Sequence, residues 1–186
     1  DLPKMHFGSD VLSDFEKAIR MEWLVTNGLG GYASSTALGV NTRKYHGLLI
    51  AAFNPPVDRR VLLTKLDEEI QIENETYPIG TNEFKHGKSP EGYRFLVDFS
   101  LAPIPTYRYV VHGVQLEKTI FMPHRKNATI VTYEIFNPHE DKVTIRVSPL
   151  VNSRHFHFVT DKDNLAWNFI QKPFEKGVTI QPSIPL

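Results

Sequence analysis

A regular alternation of apolar and polar residues in the second half of the chain decides the fold class. Residues 107–122 read YRYVVHGVQLEKTIFM, and four of the five alternate positions from Val114 to Met122 are apolar. A period of two is typical of a strand with one buried face. His112-Gly113 separates this run from the apolar segment before it. We therefore predict an antiparallel hairpin over residues 107–122.

The same kind of pattern recurs elsewhere in the chain. Alternating residues mark Thr129–Ile135 and Val143–Val147, and the polar segment Asn137–Asp141 predicts a turn between them. Tyr45–Phe53 is a nearly unbroken apolar run, which favours a strand covered on both faces, and Val61–Ile72 predicts the next strand. Short strands separated by frequent turns indicate a mainly β protein, built as an antiparallel β-sandwich.

Only one segment near the amino terminus predicts a helix. Ser9 or Asp10 is suited to cap its start, and the pattern ends before Trp23. Residues 80–92 carry four charges and few apolar side chains, which predicts a surface loop. The apolar residues of the predicted helix share one face at a spacing of four: Val11, Phe15 and Ile19.

Composition limits the function classes. The chain has 186 residues, 41% of them hydrophobic, with 21 basic and 21 acidic residues and no cysteine. This size fits a single domain over residues 1–186. The balanced charge lacks the basic excess of a nucleic-acid binder, and the absence of cysteine excludes disulfides, thiolate zinc sites and a cysteine nucleophile. The longest apolar run, Leu48–Phe53, is too short to cross a bilayer, so we expect a cytoplasmic domain without nucleic-acid or membrane partners.

A glycine cluster, NGLGGY at residues 27–32, invites comparison with nucleotide-binding loops. Such a loop requires an amphipathic helix after the glycines, whereas residues 33–42 are small and polar. The chain also lacks the Gly-Lys-Ser/Thr of a phosphate loop. We interpret the cluster as a structural turn in which glycine permits a positive φ. The residues assigned to this turn are Asn27, Gly28, Gly30 and Gly31.

The densest group of polar residues, NTRKYHG at 41–47, directly precedes the most apolar strand. Functional residues often lie where a rigid element meets a loop. Arg43 suits paired hydroxyls or a carboxylate, Tyr45 suits stacking on a sugar ring, and His46 suits hydrogen-bond donation. In the alternative interpretation, Arg43 pairs with a buried acid and His46 satisfies backbone groups. The candidate contact residues are Asn41, Thr42, Arg43, Tyr45 and His46.

Three further patterns have ordinary structural explanations. The segment RHFH at 154–157 places two imidazoles on one strand face but offers no third metal ligand. Asp67-Glu68-Glu69 supplies carboxylates, and we interpret it as a solvated edge or turn. We predict no metal, no cofactor and no catalytic residue. Five aromatic residues suit either a sugar platform or the core: Trp23, Tyr93, Tyr107, Tyr109 and Trp167.

Two long motifs resemble the amino-terminal domain of archaeal and bacterial glycogen debranching enzymes of the amylo-α-1,6-glucosidase type. They read EWLVTNGLGGYASS at 22–35 and NTRKYHGLL at 41–49. Further agreement comes from VLLTKLDE at 61–68 and from the segment at 154–157. The sequence departs from the family pattern at His155, where an acidic residue is common, and at Ser35, where glycine is frequent.

The resemblance implies a β-supersandwich like the amino-terminal domain of bacterial glucoamylases. In the family this domain precedes a catalytic α/α-barrel, which hydrolyses the α-1,6-linked glucose at a trimmed branch point of glycogen. The barrel requires several hundred mostly helical residues, so we expect this chain to be an inactive amino-terminal fragment of a longer glycoside hydrolase. Its expected partners are the catalytic domain of the same polypeptide and glycogen or another branched α-glucan. An independent carbohydrate-binding module and a purely structural domain are the alternatives.

Overall fold

Antiparallel strands dominate the computed structural model, which describes residues 4–160 and 168–183. Two short helices, Ser9–Leu12 (α1) and Phe15–Ala18 (α2), and a 3-10 helix at Gly92–Phe95 accompany them. In chain order the strands are Met5–Gly8 (β1), Glu22–Thr26 (β2), Tyr32–Thr36 (β3), Gly47–Asn54 (β4), Val57–Ile72 (β5), Glu75–Pro78 (β6), Thr81–Phe84 (β7), Gly87–Glu91 (β8), Leu96–Leu101 (β9), Pro105–Val111 (β10), Val114–Phe121 (β11), Ile130–Phe136 (β12), Val143–His155 (β13), Phe169–Phe174 (β14) and Gly177–Pro182 (β15).

The strands form two main sheets. The first has the order β1-β9-β10-β11-β12, and the second has the order β13-β5-β4-β3-β2 with β6 added beside β5. Two separate hairpins, β7-β8 and β14-β15, complete the described strands. Val111 lies opposite Val114 in the antiparallel pair β10-β11, which confirms the predicted hairpin. The mainly β, antiparallel sandwich predicted from the sequence is confirmed.

The two sheets meet at an aromatic contact in the core. Trp23 on β2 is 2% exposed, and its indole N–H lies 2.5 Å from the hydroxyl oxygen of Tyr107 on β10. The Tyr107 hydroxyl donates to the Thr36 carbonyl oxygen at 2.7 Å. Tyr93 and Tyr109 are buried as well. These four aromatic residues therefore belong to the core rather than to a sugar platform, and Trp167 lies outside the described residues.

A charged cluster is buried between the sheets. Glu68 on β5 is 3% exposed and forms an ion pair with Lys118 on β11. The Tyr133 hydroxyl donates to the same carboxylate at 2.7 Å. A solvated edge or turn was therefore the wrong interpretation of Asp67-Glu68-Glu69. Lys118 is the one polar residue at the inward positions of β11. It neutralises Glu68 on the opposite sheet, which permits the carboxylate to be buried.

Three other sequence predictions were wrong: the single helix, its cap and the loop at residues 80–92. The predicted single helix is broken into α1 and α2 by Asp14, which has extended backbone angles and accepts a hydrogen bond from the Lys17 N–H at 3.2 Å. Neither Ser9 nor Asp10 caps the start, because the N-cap is Gly8. The predicted loop at 80–92 contains the hairpin β7-β8, whose Thr81 is 1% exposed.

Candidate functional site

The glycine turn joins β2 to β3 and depends on glycine at two positions. Gly28 and Gly30 have φ angles of +76° and +94°, a region that L side chains rarely adopt. A Cβ atom at Gly30 would lie 2.6 Å from the carbonyl oxygen of Pro56. The buried Asn27 side chain closes the turn, since its Oδ1 accepts from the N–H groups of Leu29 at 2.9 Å and Gly31 at 3.1 Å. The turn is thus fixed by Asn27 and packed closely against Pro56.

The opposite side of Asn27 fixes the turn to the segment before β12. Its Nδ2 donates to Asn127 Oδ1 at 3.1 Å and to the carbonyl oxygen of Lys126 at 3.0 Å. Asn127 in turn accepts from the N–H of Ala52 at 3.1 Å and donates to its carbonyl oxygen at 2.8 Å. Sequence reasoning did not identify Asn127, because its partners lie far away in the chain.

The polar segment 41–46, which we call the motif loop, is braced from within. Asn41 accepts from the Ser35 hydroxyl at 2.9 Å and donates to the Thr64 carbonyl oxygen at 2.8 Å. The Thr42 N–H donates to His46 Nδ1 at 3.0 Å. Asn41 and Thr42 therefore serve the conformation of the loop.

His46 and Arg43 share one acidic partner. His46 is 3% exposed, and its Nε2 lies 3.6 Å from a carboxylate oxygen of Glu22, beyond hydrogen-bond distance. The Nε of Arg43 lies 2.5 Å from the same oxygen. Burial lowers the pKa of His46, against the attraction of Glu22, so the neutral ring with its proton on Nε2 is favoured. The bond from the Thr42 N–H agrees with the structural alternative for His46, whereas Arg43 pairs with an acid that is exposed rather than buried.

Tyr45 has a different position from the rest of the motif loop. Its hydroxyl lies 3.2 Å from Nδ1 of His157, and its ring centroid lies 5.6 Å from that of Phe156. Lys44 donates to the His157 carbonyl oxygen at 2.8 Å, and Arg154 donates to the Lys44 carbonyl oxygen at 2.5 Å. These reciprocal bonds hold the motif loop against residues 154–157. The two segments thus form one surface.

This surface borders an open groove of about 750 Å³, which we call the aromatic groove. Phe156 packs against a small buried cluster of Tyr32, Ile50 and Val61 that lies apart from the main core. Of the candidate residues, the groove brings together Gly28, Gly30, Gly31 and Tyr45, and it leaves the others outside its lining. Its lining residues are Leu24, Thr26, Gly28, Gly30, Gly31, Tyr32, Tyr45, Arg59, Phe156 and His157.

Sequence reasoning missed the contribution of Tyr32, Arg59 and Phe156. The aromatic residue between His155 and His157 was a usable signal. Across residues 4–160 and 168–183, no group of three or more His, Asp or Glu side chains is placed to hold a metal ion. No helix within these same residues has the length and apolarity required to span a membrane.

Comparison with known proteins assigns the family. A family model described as "Glycogen debranching enzyme N terminal" matches residues 21–184. The chain belongs to this family. The match confirms the resemblance and includes the glycine turn, the motif loop and residues 154–157. Neither the comparison with curated proteins nor the comparison with solved structures gives a match. The amino-terminal domain of a debranching enzyme implies a catalytic domain in the same polypeptide.

Proposed function

We propose that this debranching-enzyme domain is non-catalytic and that its aromatic groove contacts an α-glucan chain. The observation that carries the proposal is the meeting of Tyr45 with Phe156 and His157 beside the glycine turn. Ligand sites are typically concave and largely apolar, with a few placed polar groups, and a volume of about 750 Å³ is typical of such a site.

The two sides of the groove suit the two faces of a sugar. The apolar C–H face of a glucose ring packs on an aromatic side chain, which Tyr45 and Phe156 supply. The hydroxyl groups require hydrogen-bond donors and acceptors, and the glycine turn contributes main-chain atoms to the groove lining. Tyr45, His157 and Arg59 add polar groups at the same groove.

The groove lacks the machinery of a glycosidase. Hydrolysis of a glycosidic bond uses two carboxyl groups, about 5 to 10 Å apart, on either side of the bond. None of the groove-lining residues is acidic. Glu22, the carboxylate beside the motif loop, is bound to Arg43. We therefore assign hydrolysis of α-1,6 bonds to the catalytic domain and binding to this domain.

Calorimetric titration of the 186-residue chain with glycogen tests this function. We expect Tyr45→Ala and Phe156→Ala each to weaken binding about fivefold to tenfold, the effect of losing one aromatic contact. Phe84→Ala is the matched control, because Phe84 is 61% exposed on the separate hairpin β7-β8. Equal affinities of all four proteins, or no affinity of the wild-type chain, would refute the proposal. Binding by the chain alone would show that it also acts as an independent module.

A second proposed role is packing on the catalytic domain. Apolar side chains are exposed on β12 and β13, which end the two main sheets: Ile135 at 40%, Phe136 at 62%, Val147 at 36% and Leu150 at 41%. Uncovered apolar edge strands are unfavourable in water and are usually shielded. We expect amides of β12 and β13 to exchange hydrogen more slowly in the full-length enzyme than in this chain. Equal exchange would contradict the role. The cytoplasmic location stays a prediction.

A further inference from the structure

The aromatic groove has a feature that a neutral glucan does not require. Arg59 lines it, and Lys44 and Arg154 belong to the two segments that border it. No carboxylate lies within ion-pair distance of these three residues in the part of the chain that the structure describes. Other cations in the neighbourhood are neutralised, as Arg43 is by Glu22 and Arg60 by Asp58. The positive charge of the three residues is therefore uncompensated.

The positions of these cations follow the aromatic rings. The Lys44 ammonium lies 5.1 Å from the centroid of the Tyr45 ring, and the Arg59 guanidinium lies 5.2 Å from that of Phe156. The two rings are in contact, so Arg59 lies in the groove lining beside Phe156 and Lys44 lies at its border beside Tyr45. Lys44 already donates one N–H to the His157 carbonyl oxygen, and Arg59 Nε donates to the Pro56 carbonyl oxygen, so the remaining N–H groups of the two cations are the donors open to a ligand.

Arg154 adds a third positive charge, although it does not itself line the groove. Its guanidinium donates to the carbonyl oxygens of Phe158 at 2.7 Å and Lys44 at 2.5 Å, so its donors are committed to the protein. Burial raises the pKa of the Tyr32 hydroxyl, whereas Arg59 and Arg154 both act to lower it. Both arginines thus act electrostatically on one groove-lining side chain. Since none of the lining residues is acidic, nothing in the groove opposes this field.

Building on the proposed function, we propose that the aromatic groove takes an α-glucan that carries a phosphate monoester, with the phosphate bound by Lys44 and Arg59. The two rings hold the sugar, and the ammonium and guanidinium groups donate charge-assisted hydrogen bonds to the phosphate oxygens. Arg59 is half-buried beside the Phe156 ring, so its bonds to phosphate are screened less than those of a fully exposed cation. The domain therefore selects phosphorylated positions of a glucan over neutral ones.

The test compares three probes on the 186-residue chain by calorimetry at low salt: maltodextrin, the same maltodextrin bearing a 6-phosphate, and inorganic phosphate. We expect the phosphorylated maltodextrin to bind about tenfold more tightly than the neutral one, the effect of one charge-assisted hydrogen bond. This preference falls at high salt because exposed charges are screened.

A matched pair of double variants shows which cations are responsible. Lys44→Gln/Arg59→Gln should bring the ratio of the two affinities close to one. Lys85→Gln/Arg146→Gln makes the same change in net charge at exposed sites outside the groove lining and should preserve the ratio. Using the ratio cancels any loss of sugar contacts in the first variant. Thermal unfolding of each variant checks that the fold is retained.

The other possible outcomes of these titrations each contradict a specific part of the proposal. Equal affinities for both maltodextrins would overturn the phosphate selection and leave the proposed function standing, whereas binding of neither would overturn both. Inorganic phosphate that binds as tightly as the phosphorylated maltodextrin would show a plain anion site instead. The titrations are repeated on the full-length enzyme. Loss of the preference there would show that acidic groups of the catalytic domain are the true partner of these cations.

Discussion

The hydroxyl of Tyr45 lies 3.2 Å from Nδ1 of His157, and the two rings meet edge to face at 5.8 Å between centroids. The contact spans 112 residues of sequence and joins the motif loop to the turn after β13. Through this contact, residues from two separate sequence motifs together line the aromatic groove. The groove therefore depends on the bonds that hold these segments together as much as on the rings that line it.

Arg154 is the main link between the segments. Its guanidinium donates to three carbonyl oxygens, including that of Lys44, in a geometry that the single ammonium of lysine does not reproduce. We expect Arg154→Lys to lower the free energy of unfolding by about 1 to 2 kcal/mol and to weaken glycogen binding, although its charge is kept. Urea unfolding and calorimetry measure the two effects. Wild-type binding by this variant would show that the link does not shape the groove.

The glycine turn predicts a graded series of alanine variants. Gly30→Ala combines a positive φ with a Cβ atom 2.6 Å from the Pro56 carbonyl oxygen, so we expect a loss of about 3 kcal/mol or more. At Gly28 the nearest atom belongs to the His124 side chain, which can move, and the loss is smaller. Gly87→Ala meets no atom within 4 Å and reports the backbone cost alone. If urea unfolding gave the same loss for Gly87→Ala as for Gly30→Ala, the contact with Pro56 would not explain the cost at Gly30.

His46 predicts a pH dependence of stability. Because burial lowers its pKa in the folded state, the unfolded chain binds more protons at pH values below the ordinary histidine pKa of about 6.5. The contribution of neutral His46 is thus complete above that pH and is lost as pH falls towards the folded-state pKa. We expect His46→Gln to flatten this part of the urea-unfolding profile. An unchanged slope in the variant would contradict the assignment.

The buried pair Glu68–Lys118 predicts strong coupling between two substitutions. Lys118→Met leaves the Glu68 carboxylate buried without its cation, and we expect a loss of about 3 to 5 kcal/mol. Adding Glu68→Gln removes the uncompensated charge and should recover most of that loss. A double-mutant cycle in urea measures the coupling. Additive effects would show that the charges do not interact.

The sequence predicted those parts of the fold that are set by local periodicity. The hairpin at residues 107–122 follows from alternating burial and a short turn, and both are encoded within that segment. The helix break at Asp14 and the hairpin β7-β8 depend on capping and on contacts with distant residues. Lys65 shows this dependence, because its ammonium donates to the Thr81 carbonyl oxygen and lies 2.8 Å from Asn82 Oδ1.

In the candidate site, too, local patterns were predictable and contacts with distant residues were not. The motif loop was recognisable as a dense polar segment, yet only Tyr45 among its candidate residues lines the groove. Asn41 is turned inward to the Thr64 carbonyl oxygen on β5, and the buried His46 accepts from the Thr42 N–H within the loop. Phe156 belongs to the groove only because β13 returns beside β5. The spacing of residues in the sequence does not predict that β13 pairs with β5.

The most direct test of the central claim is amide chemical-shift mapping of the isotopically labelled 186-residue chain during titration with maltodextrin. We predict shifts confined to the glycine turn at residues 26–32, to Lys44 and Tyr45, and to residues 156–157, with the same amides unresponsive in Tyr45→Ala. Shifts centred on the exposed aromatic residues of other strands, or no shifts at saturating maltodextrin, would contradict the assignment of the aromatic groove as the α-glucan contact of this domain.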